Sequence, residues 1–352
     1  MASNFSRQEP WNLSQENLQE WFQDNVEEGS RSFAVESNKS MDDLVRFLHN
    51  MPDMKTKGPK AKPVKVKEVR KGGSIEKGTF YKDGSDLDCV VVLNGIPKLK
   101  ANTKTGKYRR GHLKPLVEKV VTALQQASFT ARCEKVSNLQ LKVYAKQETG
   151  GILEIDILFT GNNLDYNYID DEVTMQRILS TPYNTMLNMP PKSQRFIYQP
   201  CLTPLQTEFV KSQPGNVKSL IRLVKYWKAE YLHQRQTEKL INSYTLELIT
   251  IYVYEEEMGS PDRFDLGEGF KRVLSLLAYK LGGFQHYWDN FYSDETAQRG
   301  MKLKDMMKRP ILLDPADPSD NVLQRWKKGL GTISEIARET LQTPLLRSIH
   351  VN

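Results

Sequence analysis

The chain has few of the features that define several large protein classes. Its three cysteines, Cys89, Cys133 and Cys201, are far apart and form no Cys-x-x-Cys pair. This spacing excludes a disulfide framework and a zinc knuckle, and it is typical of a reducing compartment. The sequence has no apolar run approaching the roughly 18 residues of a membrane span, and its first residues include no apolar segment of a signal peptide. We therefore expect a cytoplasmic protein without membrane contact.

What the chain does contain favours a folded protein of two parts. Of its 352 residues, 39% are hydrophobic, and 5 Trp, 15 Tyr and 13 Phe exclude a disordered chain. The composition shifts toward long helices after Thr160, and Thr181 to Gln199 is a connection rich in Pro, Asn and Ser. We accordingly predict lobes at residues 1–180 and 181–352. The net charge of +7 permits a nucleic-acid partner without requiring one.

A glycine turn followed by a paired-carboxylate strand is the most informative motif. Gly72-Gly73-Ser74 precedes Asp86-Leu87-Asp88 by about a dozen residues. Because strand side chains alternate, Asp86 and Asp88 share one face. Adjacent carboxylates repel unless a cation lies between them, and such hard oxygen ligands suit Mg²⁺ or Mn²⁺. A turn without Cβ atoms brings backbone N–H groups close to a polyphosphate, and the Ser74 hydroxyl adds a donor.

Each half of this motif has an ordinary alternative. Asp-x-Asp alone is typical of a solvated turn or strand end, and Gly-Gly-Ser alone is typical of many turns. A Walker A loop is excluded because Gly78 is followed by Thr79 and Phe80, where that loop requires Lys and then Ser or Thr. The combination indicates a phosphate site beside a metal site.

A second strand supplies a candidate third metal ligand. In Gly151 to Phe159, Leu153 and Ile155 share one face, while Glu154 and Asp156 share the other. Burying an unpaired carboxylate is costly, and metal coordination removes that cost. Asp156 is the predicted third ligand, and an ordinary strand-end residue is the alternative.

Two predicted helices of the second half contain candidate nucleotide-binding residues. Arg222 and Lys225 lie three residues apart on one helix face, where they can hold a triphosphate or form an ordinary solvated surface. Ser243 and Tyr244 begin another helix, where a hydroxyl and an aromatic face can receive a phosphate and a base.

Between the N-terminal helices and the glycine turn, Val and Lys alternate from Val64 to Lys67, and the basic stretch continues to Lys71. This period of two predicts an edge strand with one basic face that includes Lys67 and Lys71. The face is either simply solvated or a track for RNA phosphates, since each Lys near a phosphate adds salt-dependent affinity.

Taken together, these segments resemble the 2′-5′-oligoadenylate synthetases, a double-stranded-RNA-activated branch of the polymerase-β-type nucleotidyltransferases. The most specific parts are the Leu-Ile-Arg-Leu-Val-Lys run at 220–225 and the Leu-Leu-Asp-Pro-Ala-Asp-Pro run at 312–318. The resemblance implies an α+β, bilobal nucleotidyltransferase fold with a mixed β-sheet N-lobe and a helical C-lobe. It also implies polymerisation of ATP into 2′-5′-linked oligoadenylates with release of pyrophosphate, in antiviral signalling.

The same resemblance implies roles for individual residues. The implied ligands of two Mg²⁺ ions are Asp86, Asp88 and Asp156. The implied nucleotide-binding residues are Ser74, Arg222, Lys225, Ser243 and Tyr244. The implied RNA-facing residues are Lys71, Lys77 and Lys211, beside the Lys67 already noted. Double-stranded RNA is the implied activator, other nucleoside triphosphates remain open as substrates, and a monomer is favoured.

Two other functions remain open. Where the oligoadenylate synthetases have Gln before the stacking Tyr, this chain has Ser243, as do cyclic GMP-AMP synthase and its relatives. A cyclic dinucleotide synthase is therefore an alternative, although the His/Cys zinc insert of cyclic GMP-AMP synthase is missing. A non-catalytic RNA-binding relative is a third possibility, and the intact set of three aspartates argues against it.

Overall fold

The computed structural model describes residues 9–55, 63–81, 87–94, 114–137, 140–148, 150–161, 172–188, 199–303 and 308–350. Within these ranges, no helix is both long enough and apolar enough to cross a membrane. Asp86 of the predicted metal site lies outside the described residues.

The described strands form a mixed six-stranded sheet and a small three-stranded sheet. In the first, the order is β1-β2-β3-β6-β5-β4, with β3 and β6 parallel and the other neighbours antiparallel. In the second, the order is β7-β8-β9. The strands are Met54–Lys55 (β1), Pro63–Gly72 (β2), Leu87–Asn94 (β3), Thr130–Lys135 (β4), Gln140–Lys146 (β5), Ile152–Gly161 (β6), Gln285–His286 (β7), Ile311–Asp314 (β8) and Asp317–Asn321 (β9).

Helices surround the larger sheet and make up most of the second half. They are Gln15–Phe22 (α1), Glu28–His49 (α2), Gly73–Lys77 (α3), Lys114–Gln125 (α4), Glu172–Leu187 (α5), Gln199–Lys211 (α6), Gly215–Trp227 (α7), Ser243–Tyr252 (α8), Leu266–Ser275 (α9), Asp294–Met301 (α10), Leu330–Thr340 (α11) and Pro344–Ser348 (α12). Wider π-type turns extend α1, α7, α8 and α9 at their C-terminal ends.

One face of the sheet builds the first hydrophobic core. The alternating residues Cys89, Val91, Ile155 and Ile157 are buried there with apolar residues of α2 and α4. Because side chains alternate along a strand, Asp88 and Asp156 point away from this core. Their face of the sheet is in contact with α6, so the two carboxylates lie on the side of the sheet that faces the second half of the chain.

The helices of the second half enclose a second hydrophobic core. Residues of the N-terminal segment pack into this core. Trp11, Trp21 and Phe22 are buried among residues of α7, α8, α9 and α11. The sequence assigns residues 1–180 to one lobe, whereas these N-terminal aromatic residues lie in the helical core. The division into lobes at residue 180 stays a prediction.

Two helices are longer than the sequence predicts. Leu44, Phe47 and Leu48 recur at helical spacing and predict a helix from Met41 to Asn50. The helix α2 is longer and begins at Glu28. Its buried face includes Ser37, a small polar residue that hides the periodicity. The predicted connection from Thr181 to Gln199 begins instead as helix, since α5 continues through Pro182 to Leu187.

We expect Leu44→Ala to destabilise the fold by roughly 2–5 kcal/mol, since Leu44 is 0% exposed in the first core and its truncation leaves a cavity. Val35→Ala is the matched control on the same helix, because Val35 is 74% exposed and its loss should stay within about 0.5 kcal/mol. Urea unfolding of both variants measures the difference. Equal losses would contradict the assignment of the buried face of α2.

Candidate active site

Glycine conformations shape the turn that follows β2. Gly73 has φ +75° and Gly78 has φ +71°, values in the left-handed region that favours glycine. Gly78 ends the short helix α3, where its N–H donates to the Ile75 carbonyl at 3.0 Å. A Cβ on Gly72 would lie 3.4 Å from the Cβ of Asp88. The turn therefore runs directly beside the predicted metal ligands.

The sheet register brings two of the predicted metal ligands together. Asp88 on β3 is the direct neighbour of Asp156 on the parallel strand β6. Neighbouring strands lie roughly 4.8 Å apart and residues in register share a face, so these half-buried carboxylates project side by side. Asp86 precedes Asp88 by two positions but lies outside the described residues, so its place in the site stays a prediction.

The pair fits a divalent cation by its chemistry. Two carboxylates held in register are hard oxygen ligands whose mutual repulsion a cation relieves. Within the described ranges, no group of three or more His, Cys, Asp or Glu side chains is arranged to hold a metal.

A cavity of about 230 Å³ opens beside this pair and collects several predicted nucleotide-binding residues. The residues that line this cavity include members of the glycine turn, β3, α7 and α8, so four separate elements contribute to its wall. The predicted residues that line it are Ser74, Lys77, Asp88, Lys225, Ser243 and Tyr244. Polar groups converging on a cleft at the end of a sheet are typical of a ligand site.

A buried carboxylate that the sequence analysis missed organises the cavity wall. Glu247 on α8 is 2% exposed and accepts hydrogen bonds from Lys77 Nζ at 2.9 Å, Lys225 Nζ at 3.3 Å and Thr79 Oγ1 at 2.8 Å. Burial alone would raise the pKa of Glu247, but the two ammonium groups and the hydrogen bonds outweigh it and lower the pKa to about 2. The group is therefore fully ionised at neutral pH.

The amino-acid sequence does contain a feature that points to Glu247. It is the single charged residue of the helix Ser243–Tyr252, whose other residues are apolar or uncharged. A buried charge is retained only where it is paired, so its position in such a helix predicts a partner elsewhere in the chain.

Lys225 and Arg222 occupy different places. Lys225 is 3% exposed, lines the cavity and also donates to the Thr79 carbonyl at 3.0 Å. Arg222 donates to the Gly78 carbonyl at 2.7 Å and pairs with Glu27. Arg222 lies about one helical turn before Lys225 and is not among the residues that line the cavity. Its contact with a phosphate stays a prediction.

Tyr244 lies at the edge of the cavity, with the ammonium group of Lys77 at 4.4 Å from the centre of its ring. Burial, together with the nearby Asp314 carboxylate, raises the pKa of Tyr244 well above 10, so it stays a neutral phenol. The ammonium group of Lys77 thus makes a cation–π contact with one face of this ring. Ser243 also borders the cavity and accepts a hydrogen bond from Lys228 Nζ at 3.1 Å.

The four lysines predicted to face RNA do not share one environment. Lys77 is 12% exposed and pairs with Glu247 in the cavity wall. Lys71 pairs with Asp42 at 2.6 Å, and Lys211 pairs with Glu76 at 2.6 Å. Lys67 is half-buried on β2. Their contacts with RNA stay predictions, and Lys77 lies in the lining of the cavity.

Comparison with known proteins decides the family. The model of the 2′-5′-oligoadenylate synthetase 1 C-terminal domain matches residues 179–351, and the nucleotidyltransferase domain model matches residues 54–135. The rat 2′-5′-oligoadenylate synthase 1A is 30% identical over 297 residues, which cover 80% of this chain and 78% of the relative. The chain belongs to the 2′-5′-oligoadenylate synthetase family. The prediction that it is a nucleotidyltransferase is thereby confirmed.

Other members of the oligoadenylate synthetase family are longer. Mouse 2′-5′-oligoadenylate synthase 2 is 29% identical over 90% of this chain, and the chain spans 42% of that relative.

Solved structures support the fold alone. The CdnC component of an E. coli MS115-1 CdnC:HORMA-deltaN complex superposes with a TM-score of 0.58 at 17% identity, covering 93% of this chain and 89% of that chain. A cytoplasmic RNA terminal U-transferase gives a TM-score of 0.52 at 14% identity, covering 94% and 96%. The predicted α+β nucleotidyltransferase fold is confirmed.

We expect Glu247→Gln to lower the free energy of unfolding by roughly 3–5 kcal/mol at neutral pH, because it leaves two buried ammonium groups without their counter-charge. The wild-type carboxylate has its pKa lowered from 4.5 to about 2, so its stabilisation is complete above about pH 4.5 and is lost as the pH falls toward 2. Urea unfolding as a function of pH measures both effects.

Glu256→Gln is the matched control, since Glu256 is exposed in the turn that extends the same helix. The Glu247 variant should lose less stability than wild type between pH 4.5 and 2, and the control should follow wild type. A Glu247→Gln protein as stable as wild type at pH 7 would contradict the role assigned to this group.

Proposed function

We propose that this chain polymerises ATP into 2′-5′-linked oligoadenylates with release of pyrophosphate when it is bound to double-stranded RNA, as part of antiviral innate immunity in the cytoplasm. The observation that carries the proposal is the register of Asp88 with Asp156 beside a cavity lined by Ser74 and Lys225. Family membership supports the reaction class.

One group of residues binds the nucleotide phosphates and another group binds the metal ions. The backbone N–H groups of the glycine turn and the Ser74 hydroxyl approach the polyphosphate, because the turn begins with a glycine in the left-handed conformation. Lys225 approaches it from the opposite wall with an ammonium group that Glu247 and the Thr79 carbonyl already orient. Such preorganised charge stabilises a transferring phosphoryl group.

Asp88, Asp156 and the predicted third ligand Asp86 would hold the divalent ions, Mg²⁺ or Mn²⁺. When bound, the metal supplies Lewis acidity that lowers the pKa of the attacking 2′-hydroxyl and neutralises charge on the phosphates. Asp156 is half-buried in the middle of a strand, so the chain holds this carboxylate in place by its backbone. Tyr244 offers an aromatic ring for the base.

The RNA part of the proposal concerns the basic side of β2 and its surroundings. Lys67 and Lys71 lie on a strand that ends at the glycine turn, so phosphates bound along it would lie next to the nucleotide cavity. Lys211 lies on α6, paired with Glu76 of α3. An RNA contact at these lysines would act on the turn that holds the nucleotide phosphates.

A cyclic dinucleotide product is the second candidate, because Ser243 places a short hydroxyl side chain at the cavity where a longer Gln is expected. Incubation with all four nucleoside triphosphates, with and without duplex RNA, followed by mass and nuclease analysis separates the candidates. We expect an RNA-dependent ladder of linear 2′-5′ oligomers from ATP. A single nuclease-resistant ring favours the second candidate, and no product from any triphosphate contradicts both.

We expect Asp156→Asn to lower kcat by at least ~10³-fold, since loss of a metal ligand removes several kcal/mol of charge stabilisation. RNA affinity should be unchanged. Glu154→Gln is the matched control, because Glu154 lies on the same strand and face but is exposed. Product formation with saturating RNA measures kcat, and undiminished turnover in the Asp156 variant would remove it from the metal site.

We expect the double variant Lys67→Gln, Lys71→Gln to reduce the salt dependence of RNA binding. If both side chains contact phosphates, the slope of log affinity against log salt should fall in magnitude by roughly 1.5 to 2. Lys327→Gln is the control, since Lys327 is exposed in the turn between β9 and α11. An unchanged slope would place the RNA track elsewhere.

A further inference from the structure

A row of residues crosses the large sheet in register at the level of the predicted metal ligands. From β2 to β4, the row consists of Gly72, Asp88, Asp156, Lys142 and Glu134. Because residues in register share a face of the sheet, the side chains of this row project on the same side. The two carboxylates therefore have a glycine on one flank and a lysine on the other.

The glycine flank belongs to the side on which the nucleotide is proposed to bind. A Cβ on Gly72 would lie 3.4 Å from the Cβ of Asp88, so the backbone of the glycine turn packs directly against this carboxylate. Asp88 and Ser74 line the nucleotide cavity, whereas the described lining residues do not include Lys142. Lys142 therefore lies on the flank of the metal site that is farther from the glycine turn.

The charge of Lys142 is held close to Asp156. Its ammonium group donates a hydrogen bond to Glu154, which lies two positions before Asp156 on the same face of β6. This hydrogen bond outweighs partial burial and, together with the charge of Asp156, raises the pKa of Lys142 above 10.5. The side chain is 28% exposed, so water only partly screens its charge. A fixed positive charge thus stands beside a predicted metal ligand.

An ordinary ion pair on a strand surface is the alternative interpretation, and such pairs contribute little. Lys146, on the same strand and face, is an example of an ordinary surface lysine. Its register partner is Ile152, and its ammonium group donates to the Ser128 carbonyl at 3.2 Å. Lys142 differs because its register partner is Asp156. Neighbouring strands are roughly 4.8 Å apart, so an ion bound at Asp156 would lie within repulsive range of Lys142.

We propose that Lys142 is a positioning residue of the metal site, which acts through Asp156 to weaken the binding of a divalent cation when no nucleotide is bound. The inference rests on the proposed function, because it takes Asp88 and Asp156 as metal ligands. Without nucleotide, the ammonium group competes with the cation for Asp156 and relieves part of the repulsion between the two carboxylates. The negative charges of a bound triphosphate offset the ammonium group. Lys142 thereby couples metal binding to nucleotide binding.

Titration with Mn²⁺ tests the inference, because this ion takes the same carboxylate ligands as Mg²⁺ and its effect on water-proton relaxation reports the protein-bound ion. A unit charge and a divalent ion roughly 6 Å apart in a water-like dielectric repel each other enough to change affinity about tenfold. Lys142→Gln should therefore tighten Mn²⁺ binding about tenfold without nucleotide. With a saturating non-hydrolysable ATP analogue, the gain should fall to about twofold or less.

Further variants separate the charge of Lys142 from its bulk. Lys142→Met also removes the charge and should act like Lys142→Gln, whereas Lys142→Arg keeps the charge and should keep wild-type affinity. Lys146→Gln is the matched control on the same strand and face, and it should change nothing. In the background of Asp156→Asn the gain from Lys142→Gln should disappear, because the ammonium group acts through that carboxylate. An unchanged thermal unfolding temperature shows that each variant is folded.

The outcomes separate this inference from the proposed function. If Lys142→Gln and Lys142→Met bind Mn²⁺ with wild-type affinity or more weakly, Lys142 is an ordinary surface residue, and the inference is wrong while the metal site stands. The same conclusion follows if the gain is as large with the ATP analogue as without it. If Asp156→Asn binds Mn²⁺ as tightly as wild type both with and without the analogue, the metal site itself is wrong and both proposals fail.

Discussion

The candidate active site depends on one buried carboxylate held between two ammonium groups. Glu247 joins Lys77, at the end of α3 beside the sheet, to Lys225 on α7 of the helical half. Charges are buried together at little net cost only when their geometry is fixed, so this contact sets the position of the glycine turn relative to the helices. This cluster of two cations and one anion carries a net positive charge, which suits a polyphosphate.

The sheet register provides the second constraint. A parallel pairing of β3 with β6 aligns Asp88 with Asp156, and a shift of one residue would turn either carboxylate into the hydrophobic core. The buried alternation of Cys89, Val91, Ile155 and Ile157 therefore does more than fill the core, because it also fixes which face holds the carboxylates. Stability and chemistry are specified by the same alternating pattern.

This is why the strands could be predicted from the sequence and some other parts could not. Alternation is local, so β3, β6 and the facing of Asp88 and Asp156 follow from short stretches of residues. The partner of Glu247 is not local, since Lys77 lies 170 positions away. Ser37 hides the buried face of α2 by its polarity. Pro182 suggests the end of a helix, whereas α5 continues to Leu187 and the Tyr183 hydroxyl donates to the Ala316 carbonyl at 2.8 Å. The sequence shows that Arg222 is a charged residue on a helix, but only the structure shows that it forms an ion pair with Glu27.

The burial of the N-terminal aromatic residues has a practical consequence for dissecting the molecule. Trp11 and Trp21 make ring contacts with Tyr226 on α7, and Trp11 also contacts Phe270 on α9. A fragment that starts after residue 27 would therefore lack side chains that complete the core of the helical half. It would leave a hydrophobic groove exposed between helices that are distant from it in sequence. The N-terminal segment and the helical half therefore have to be produced together for the helical half to keep its complete core.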